Sequence, residues 1–529
     1  MMRTPVFSVS GSLRKSSVLV VLLALAGCTR SDLRPDYVRE PSVTIPAHAD
    51  SPLVETANRL TSNHGDDSGL LLLSDSMDAL LARIVLADRA KYSIDLQYYL
   101  FHSDATGKLL VQHLIAAADR GVRVRVLVDD LHMAGKDNVL RALDGHPGLE
   151  IRLFNPFHER TGSMWGMGKQ FAGDFSRLNR RMHNKSFIVD SAVAIVGGRN
   201  IGDEYFDAAG NVNFRDLDVL VIGPVMSEIT REFDTYWNST PSVPIAAFRK
   251  DSTPPTEMSA VREALAKNAR EIRETEYASS AIERVGDFVR QDNTDKWSWG
   301  SATFIADDPD KVNPDIDPKD LHLTPRLRDW LDGAQHHIAL VSPYFVPGDK
   351  GVAYLKQRRS AGVEVSVLTN SLSSTDADNV YAAYASYRPA LLASGVLIYE
   401  LKPNAARIKE APGGIGLSAS SLHSKVMIVD DDRSFVGSMN LDPRSAHLNT
   451  EDGVLVTSPA LAKRLNDLFK LATTPAVTYR VLLKPDGKNV YWETIDDGRT
   501  TIYDDAPNTS AWRRTKASMT RLFPIEGLL

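Results

Sequence analysis

Apolar and polar positions along this chain follow two periods in turn, and the same succession occurs twice. Ile94-Asp95-Leu96-Gln97-Tyr98-Tyr99 reads as a strand. A helical spacing follows from about Gly107 to Arg120, closed by Gly121, and then Val122-Arg123-Val124-Arg125-Val126-Leu127-Val128 alternates again. About 240 residues later Ile338–Val341 leads into Pro343-Tyr344-Phe345. A helix around Val352–Arg359 ends near Gly362, and the strand Val363–Leu368 follows. Each copy continues into one more strand, Leu149–Phe154 and Val396–Leu401. Strands alternating with helices predict an α/β fold. A period this long predicts two homologous lobes rather than a solenoid, each a mainly β sheet flanked by helices.

The pattern also marks the borders. Arg14 and Lys15 precede the apolar run Val18–Gly27 and then Cys28. That run is far short of the roughly 20 residues a membrane-spanning helix needs. It reads as a secretory signal over residues 1–27. Leu25-Ala26-Gly27-Cys28 resembles a lipoprotein lipobox, which predicts lipidation of Cys28 and an anchor on a bacterial envelope membrane facing the periplasm. Thr29 after the cysteine favours the outer membrane. Residues 28–68, with Pro35, Pro41, Pro46 and Pro52, read as a tether, and the first regular segment is expected from an N-cap at Ser74. The first lobe is placed at 69–240, an inter-lobe insertion at 241–318 and the second lobe with its tail at 319–529. Met164, Trp165, Met167 and Phe171 form either a membrane-touching loop or a buried flap. The tail with Trp512, Leu522, Phe523 and Ile525 is expected to pack on a lobe.

Composition changes this picture little. A chain of 529 residues that is 43% hydrophobic can bury large cores. A net charge of −6 argues against a nucleic-acid partner, whose backbone is bound by many Lys and Arg contacts. One cysteine excludes an intramolecular disulfide.

The chemistry lies in two matching motifs. His183-Asn184-Lys185 leads to Asp190 and then Gly197-Gly198-Arg199-Asn200. His423-Ser424-Lys425 leads to Asp430 and then Gly437-Ser438-Met439-Asn440. Histidine to asparagine is 17 residues in both, from 183 to 200 and from 423 to 440. Aligning Val219-Leu220-Val221 with Val454-Leu455-Val456 pairs Asp216 with Glu451. On a strand, His183 and Lys185 share a face and present an imidazole and an ammonium to one anion. The asparagine amides can donate to phosphoryl oxygens. Two such half-sites suit phosphoryl transfer, which depends on positioning and charge stabilisation. Asp190 and Asp430 serve either in the chemistry or as anchors of the motif strand. Arg177, Arg180 and Arg181 form either a headgroup contact or a solvated basic face.

These paired motifs resemble those of the phospholipase D superfamily. Asp174–Lys185, Gly197–Asp203, Ser342–Pro347, Leu368–Leu372 and Asp442–Ser445 resemble, more narrowly, the bacterial cardiolipin synthase C group, from about residue 65 onward. Gly198 departs from the serine at Ser438 and removes one hydroxyl donor. The resemblance implies two phospholipase D-like lobes packed face to face and a covalent phosphohistidine. It makes His183 the nucleophile and His423 the general acid, with Asp216 and Glu451 orienting the imidazoles. Lys185, Lys425, Asn200 and Asn440 would hold the phosphate. It implies no metal or cofactor, and phospholipids as substrates. Phosphatidylethanolamine would be the donor and phosphatidylglycerol the acceptor. A phosphodiester hydrolase acting on lipid, or less readily on nucleic acid, is the alternative.

Overall fold

In the computed structural model the described residues are 32–520, except 35, 134, 161–163, 211, 249–255, 281–293, 317–321 and 404–419. In the first lobe the strands Ser93–Tyr98, Arg123–Asp129 and Leu149–Phe154 run parallel. Ser186–Val189 joins the first of these antiparallel, followed outward by Val193–Gly197, Asp218–Ile222 and Ser68–Leu73. The second lobe repeats this plan. His337–Val341, Glu364–Asn370 and Leu397–Leu401 are parallel, and Val426–Val429, Arg433–Gly437, Asp452–Thr457 and Ser298–Ala306 follow antiparallel. The helices that close these parallel crossovers, Ala105–Asp119 and Gly348–Ser360, are followed by Gly121 and Gly362 at φ 91° and 90°. That left-handed conformation is the usual helix stop.

The two sheets join where Ser68–Leu73 pairs with Ser298–Ala306, giving one sheet of 18 strands among the described residues. The joint is tight. A Cβ on Gly69 would lie 2.8 Å from the ring of Trp299, its partner across the joint. The sheets also pack against each other through a shared core that includes Val196, Val219 and Val221 of the first lobe and Ile428, Val436 and Val454 of the second. Each lobe has a second core on its outer face, beneath its own helices.

Three border expectations need correction. The described part of the expected tether is pinned to the first lobe. Arg125 donates to the Ser42 carbonyl, Leu33 bridges Phe248, and a helix Pro52–Thr61 buries Leu53, Val54 and Ala57. Ser51 caps that helix, with proline in its first turn where a missing N–H costs nothing. The N-cap expected at Ser74 is Asp75, whose side chain accepts from the Met77 and Asp78 N–H groups. The inter-lobe insertion supplies the joining strand Ser298–Ala306, and its helix Met258–Arg273 packs on Ala105–Asp119. Cys28, the leader, Leu522, Phe523 and Ile525 lie outside the described residues. Trp512 is exposed, but its helix Ala511–Thr520 packs on Asp378–Ala393 of the second lobe and buries Ala517 in that lobe's core.

Candidate active site

The motif histidines lie just before the strands Ser186–Val189 and Val426–Val429, not inside them. Their backbones bond across the lobe boundary. His183 N–H donates to the Thr450 carbonyl at 2.8 Å, and Thr450 N–H returns to Arg181. His423 N–H donates to the Arg215 carbonyl at 2.7 Å, within a parallel pairing of Asn213–Arg215 with Ser420–Leu422. Each motif is therefore strung beside the segment of the other lobe that carries the acidic residue.

The side chains cross accordingly. His183 Nδ1 lies 2.8 Å from Glu451 Oε2, and His423 Nδ1 lies 2.5 Å from Asp216 Oδ2. An ionised carboxylate only accepts, so each Nδ1 donates to its acid and each Nε2 is left free of it; Lys425 Nζ also lies 2.9 Å from His423 Nδ1. The acids fit their surroundings differently. A Cβ on Gly198 would lie 2.2 Å from Asp216 Oδ1, so glycine is needed there for the short acid to sit close. Opposite, Ser438 Oγ donates to Glu451 Oε2 at 2.6 Å.

All six side chains of the two His–Lys–acid sets are buried. Burial pushes His183 well below its ordinary value, and the charges of Lys185, Lys425 and His423 push the same way. That influence across the boundary places both half-sites in one field. His423 is also lowered by burial and Lys425, with Asp216 opposing. Burial lowers Lys185 to about 7 and Lys425 to about 8. Asp216 is held below its usual range by His423 and Lys425 despite burial, whereas burial raises Glu451. Lys185 Nζ donates to the His183 carbonyl at 2.5 Å, and Lys425 Nζ donates to the His423 carbonyl. The arrangement offers two ring Nε2 atoms free to hold or release a proton and two ammonium groups in a buried cluster, a set suited to an oxyanion.

Other expected site residues fall elsewhere. Asp190 accepts from the backbone N–H groups of Lys91, Tyr92 and Ser93 and from Ser51 Oγ. Asp430 accepts from those of Gln335, His336 and His337, which with Arg433 hold it down to about 2 against its partial burial. Each thus ties a motif strand to the start of its parallel neighbour, a placement that favours the anchoring reading of these aspartates over the chemical one. Asn200 accepts from Leu100 N–H and donates to Tyr205 Oη. Asn440 is buried, and its Oδ1 has no hydrogen-bond partner among the described residues. Arg181 is buried beside Asp129 and Arg177 pairs with Asp174, both inside the first lobe, while Arg180 reaches out of it to the Lys311 carbonyl.

Some neighbours carried no sequence signal. Tyr99 meets the His183 ring edge-on at 5.1 Å, and Tyr205 and Phe214 flank His423 at 5.2 and 5.0 Å. Asp307 accepts from Glu451 N–H and pairs with buried Lys311. Asp452 accepts from Lys185 N–H. Among the described residues His102, Asp104 and Glu204 bring three possible metal-ligand atoms within 4.8 Å of one another. Asp104 there already accepts from Gly107 and Asp203 N–H groups.

The sequence matches the family described as Cardiolipin synthase, PLD-like domain, over residues 84–237 and 327–472. It is 38% identical to Cardiolipin synthase C of Escherichia coli, across 89% of this chain and 98% of that protein. It is 28% identical to Cardiolipin synthase A of Pseudomonas putida, across 75% of this chain and 67% of that protein. Phosphatidylserine synthase of Haemophilus influenzae has the same fold, with a TM-score of 0.52 at 13% identity over 80% of this chain and 91% of that one. The chain belongs to the cardiolipin synthase family of phospholipase D-like proteins. It is an enzyme of the phospholipase D-type phosphatidyltransferase class.

Two outcomes follow. Asp216→Asn and Glu451→Gln should each lower turnover about a hundredfold or more, as loss of an imidazole-orienting carboxylate does. Asp190→Asn and Asp430→Asn should lower the unfolding temperature by a few degrees while keeping turnover within about threefold. Thermal melts and rates on the same preparations check both. The lysines are charged below about 7 and 8, so kcat/KM should fall as pH rises through that window. Lys185→Arg keeps its charge and should move that limb upward; an unchanged limb would assign it to another group.

Proposed function

We propose that this enzyme makes cardiolipin by moving a phosphatidyl group from phosphatidylethanolamine to phosphatidylglycerol through a phosphohistidine. The crossed pairs His183–Glu451 and His423–Asp216 carry this reading, because each acid takes up Nδ1 and leaves Nε2 for the chemistry, in a buried cluster with Lys185 and Lys425. His183 Nε2 attacks phosphorus, the bond from phosphorus to the ethanolamine oxygen breaks, and His423, entering as the imidazolium paired with ionised Asp216, gives its Nε2 proton to that oxygen. His423 then removes the proton of a phosphatidylglycerol hydroxyl, whose oxygen attacks phosphorus and displaces His183. The more strongly lowered His183 suits the nucleophile. His423 beside ionised Asp216 suits the proton carrier. Lys185, Lys425 and the Asn440 amide stabilise the phosphoryl oxygens, and Asn200 contributes its remaining amide hydrogen. Relatives named cardiolipin synthase support this choice over hydrolysis.

The enzyme works at a membrane surface, held by a lipid on Cys28 at the periplasmic side of the bacterial envelope, in the outer membrane. No helix among the described residues is long and apolar enough to cross a membrane. Trp165, on the helix Met164–Gly173, is 86% exposed, which favours the membrane-touching reading of that segment over a buried flap.

Purified enzyme given labelled phosphatidylethanolamine and phosphatidylglycerol should yield cardiolipin and ethanolamine, and His183→Ala or His423→Ala should abolish the product without unfolding the protein. Phosphatidic acid as the main product would make it a hydrolase, and wild-type rates in either variant would remove that histidine from the mechanism. Cys28→Ser should release the protein from membranes; retention through a salt wash would contradict the lipid anchor.

A further inference from the structure

The two lobes are built on one plan, yet equivalent places behind their sheets are filled differently. The strand register makes Phe154 of the first lobe equivalent to Leu401 of the second. Continuing the alignment of Val219 with Val454 without a gap makes Phe233, Tyr236 and Trp237 equivalent to Leu468, Leu471 and Ala472. In the first lobe these four aromatic side chains are fully buried, and the Arg152 guanidinium lies 4.4 Å from the Trp237 ring centre. In the second lobe the four smaller residues line an apolar pocket of about 120 Å³. Well-packed interiors leave few voids larger than a water molecule, so an apolar hollow above that size is a candidate binding space.

The same pocket reaches the catalytic machinery. Asp216, the partner of His423, and Ser424, its chain neighbour, are in its wall. Arg215 is there too. Its Nε donates to Ser420 Oγ and its Nη1 to Asp207, while Nη2 is buried with no hydrogen-bond partner among the described residues. A buried guanidinium nitrogen without a partner is costly unless something accepts from it. An apolar hollow with one spare donor matches a hydrocarbon chain that ends in an ester carbonyl.

We propose that this pocket takes one acyl chain of the phospholipid whose phosphorus is attacked, with Arg215 Nη2 donating to the ester carbonyl of that chain. This rests on the phospholipid reading of the active site. The first lobe closes the equivalent space with aromatic rings, so one acyl chain is gripped and the grip is on the His423 side.

The test refills the hollow as the first lobe does. Initial rates are measured for wild type and Ala472→Trp with dipalmitoyl and dihexanoyl phosphatidylethanolamine, at a fixed level of phosphatidylglycerol. The long-chain to short-chain ratio of kcat/KM should fall at least about tenfold, because each methylene denied burial is worth several-fold. Leu468→Phe, a milder filling, should move the ratio the same way and serves if Ala472→Trp does not fold. A ratio unchanged in a folded variant overturns the proposal. No transfer by wild type from either donor would refute the transferase reading instead. The pocket is then read by photolabelling with a phosphatidylethanolamine bearing a diazirine in its chain. Adducts on the helix Pro459–Ala472 support the pocket, and adducts only elsewhere overturn it.

Discussion

Each imidazole of this enzyme is held by a carboxylate from the opposite lobe, and the rest of the structure is arranged to make that possible. A histidine can take its acid from across a boundary only if the two backbones are fixed to each other within hydrogen-bonding distance. The pairing of Asn213–Arg215 with Ser420–Leu422 does this on one side, and the Met182–Thr450 bridge does it on the other. The joined sheet and the apolar core between the lobes keep those two contacts in register. Neither lobe alone contains a complete dyad.

This arrangement makes the site symmetric in plan and unequal in detail. Glycine with aspartate on one side and serine with glutamate on the other are two ways of filling the same space. They leave one acid ionised below its usual range and the other raised by burial. A transfer that needs one histidine to attack while the other carries a proton gains from such inequality, since equivalent imidazoles would compete for the same role. The acyl pocket proposed behind the second lobe would extend the same inequality from the protons to the lipid.

Much of this was legible in the chain. The repeated strand and helix periods gave the parallel core of each lobe, because strands buried on both faces keep a strong apolar pattern. The His and Lys spacings pointed to the buried His–Lys–acid cluster, because few structural needs repeat those residues at matched positions. Crossing of the acids was not legible, since Asp216 and Glu451 match by alignment while their partners are fixed only by how the lobes meet. Asp190 and Asp430 share the motif yet bond backbone N–H groups at the start of the neighbouring strand, at φ 50° and 53° in turns that aspartate tolerates. Their regular spacing reflects the length of a strand and a turn. The segment read as a tether was misjudged from its prolines, although Ser51-Pro52 is itself a helix start.

Nitrogen NMR of the labelled histidine rings tests the crossed arrangement most directly. Removing the Asp216 carboxylate should move the Nδ1 resonance of His423 and leave that of His183 nearly in place, and removing the Glu451 carboxylate should do the reverse. If each acid instead governed the histidine of its own lobe, the crossed site described here would be wrong.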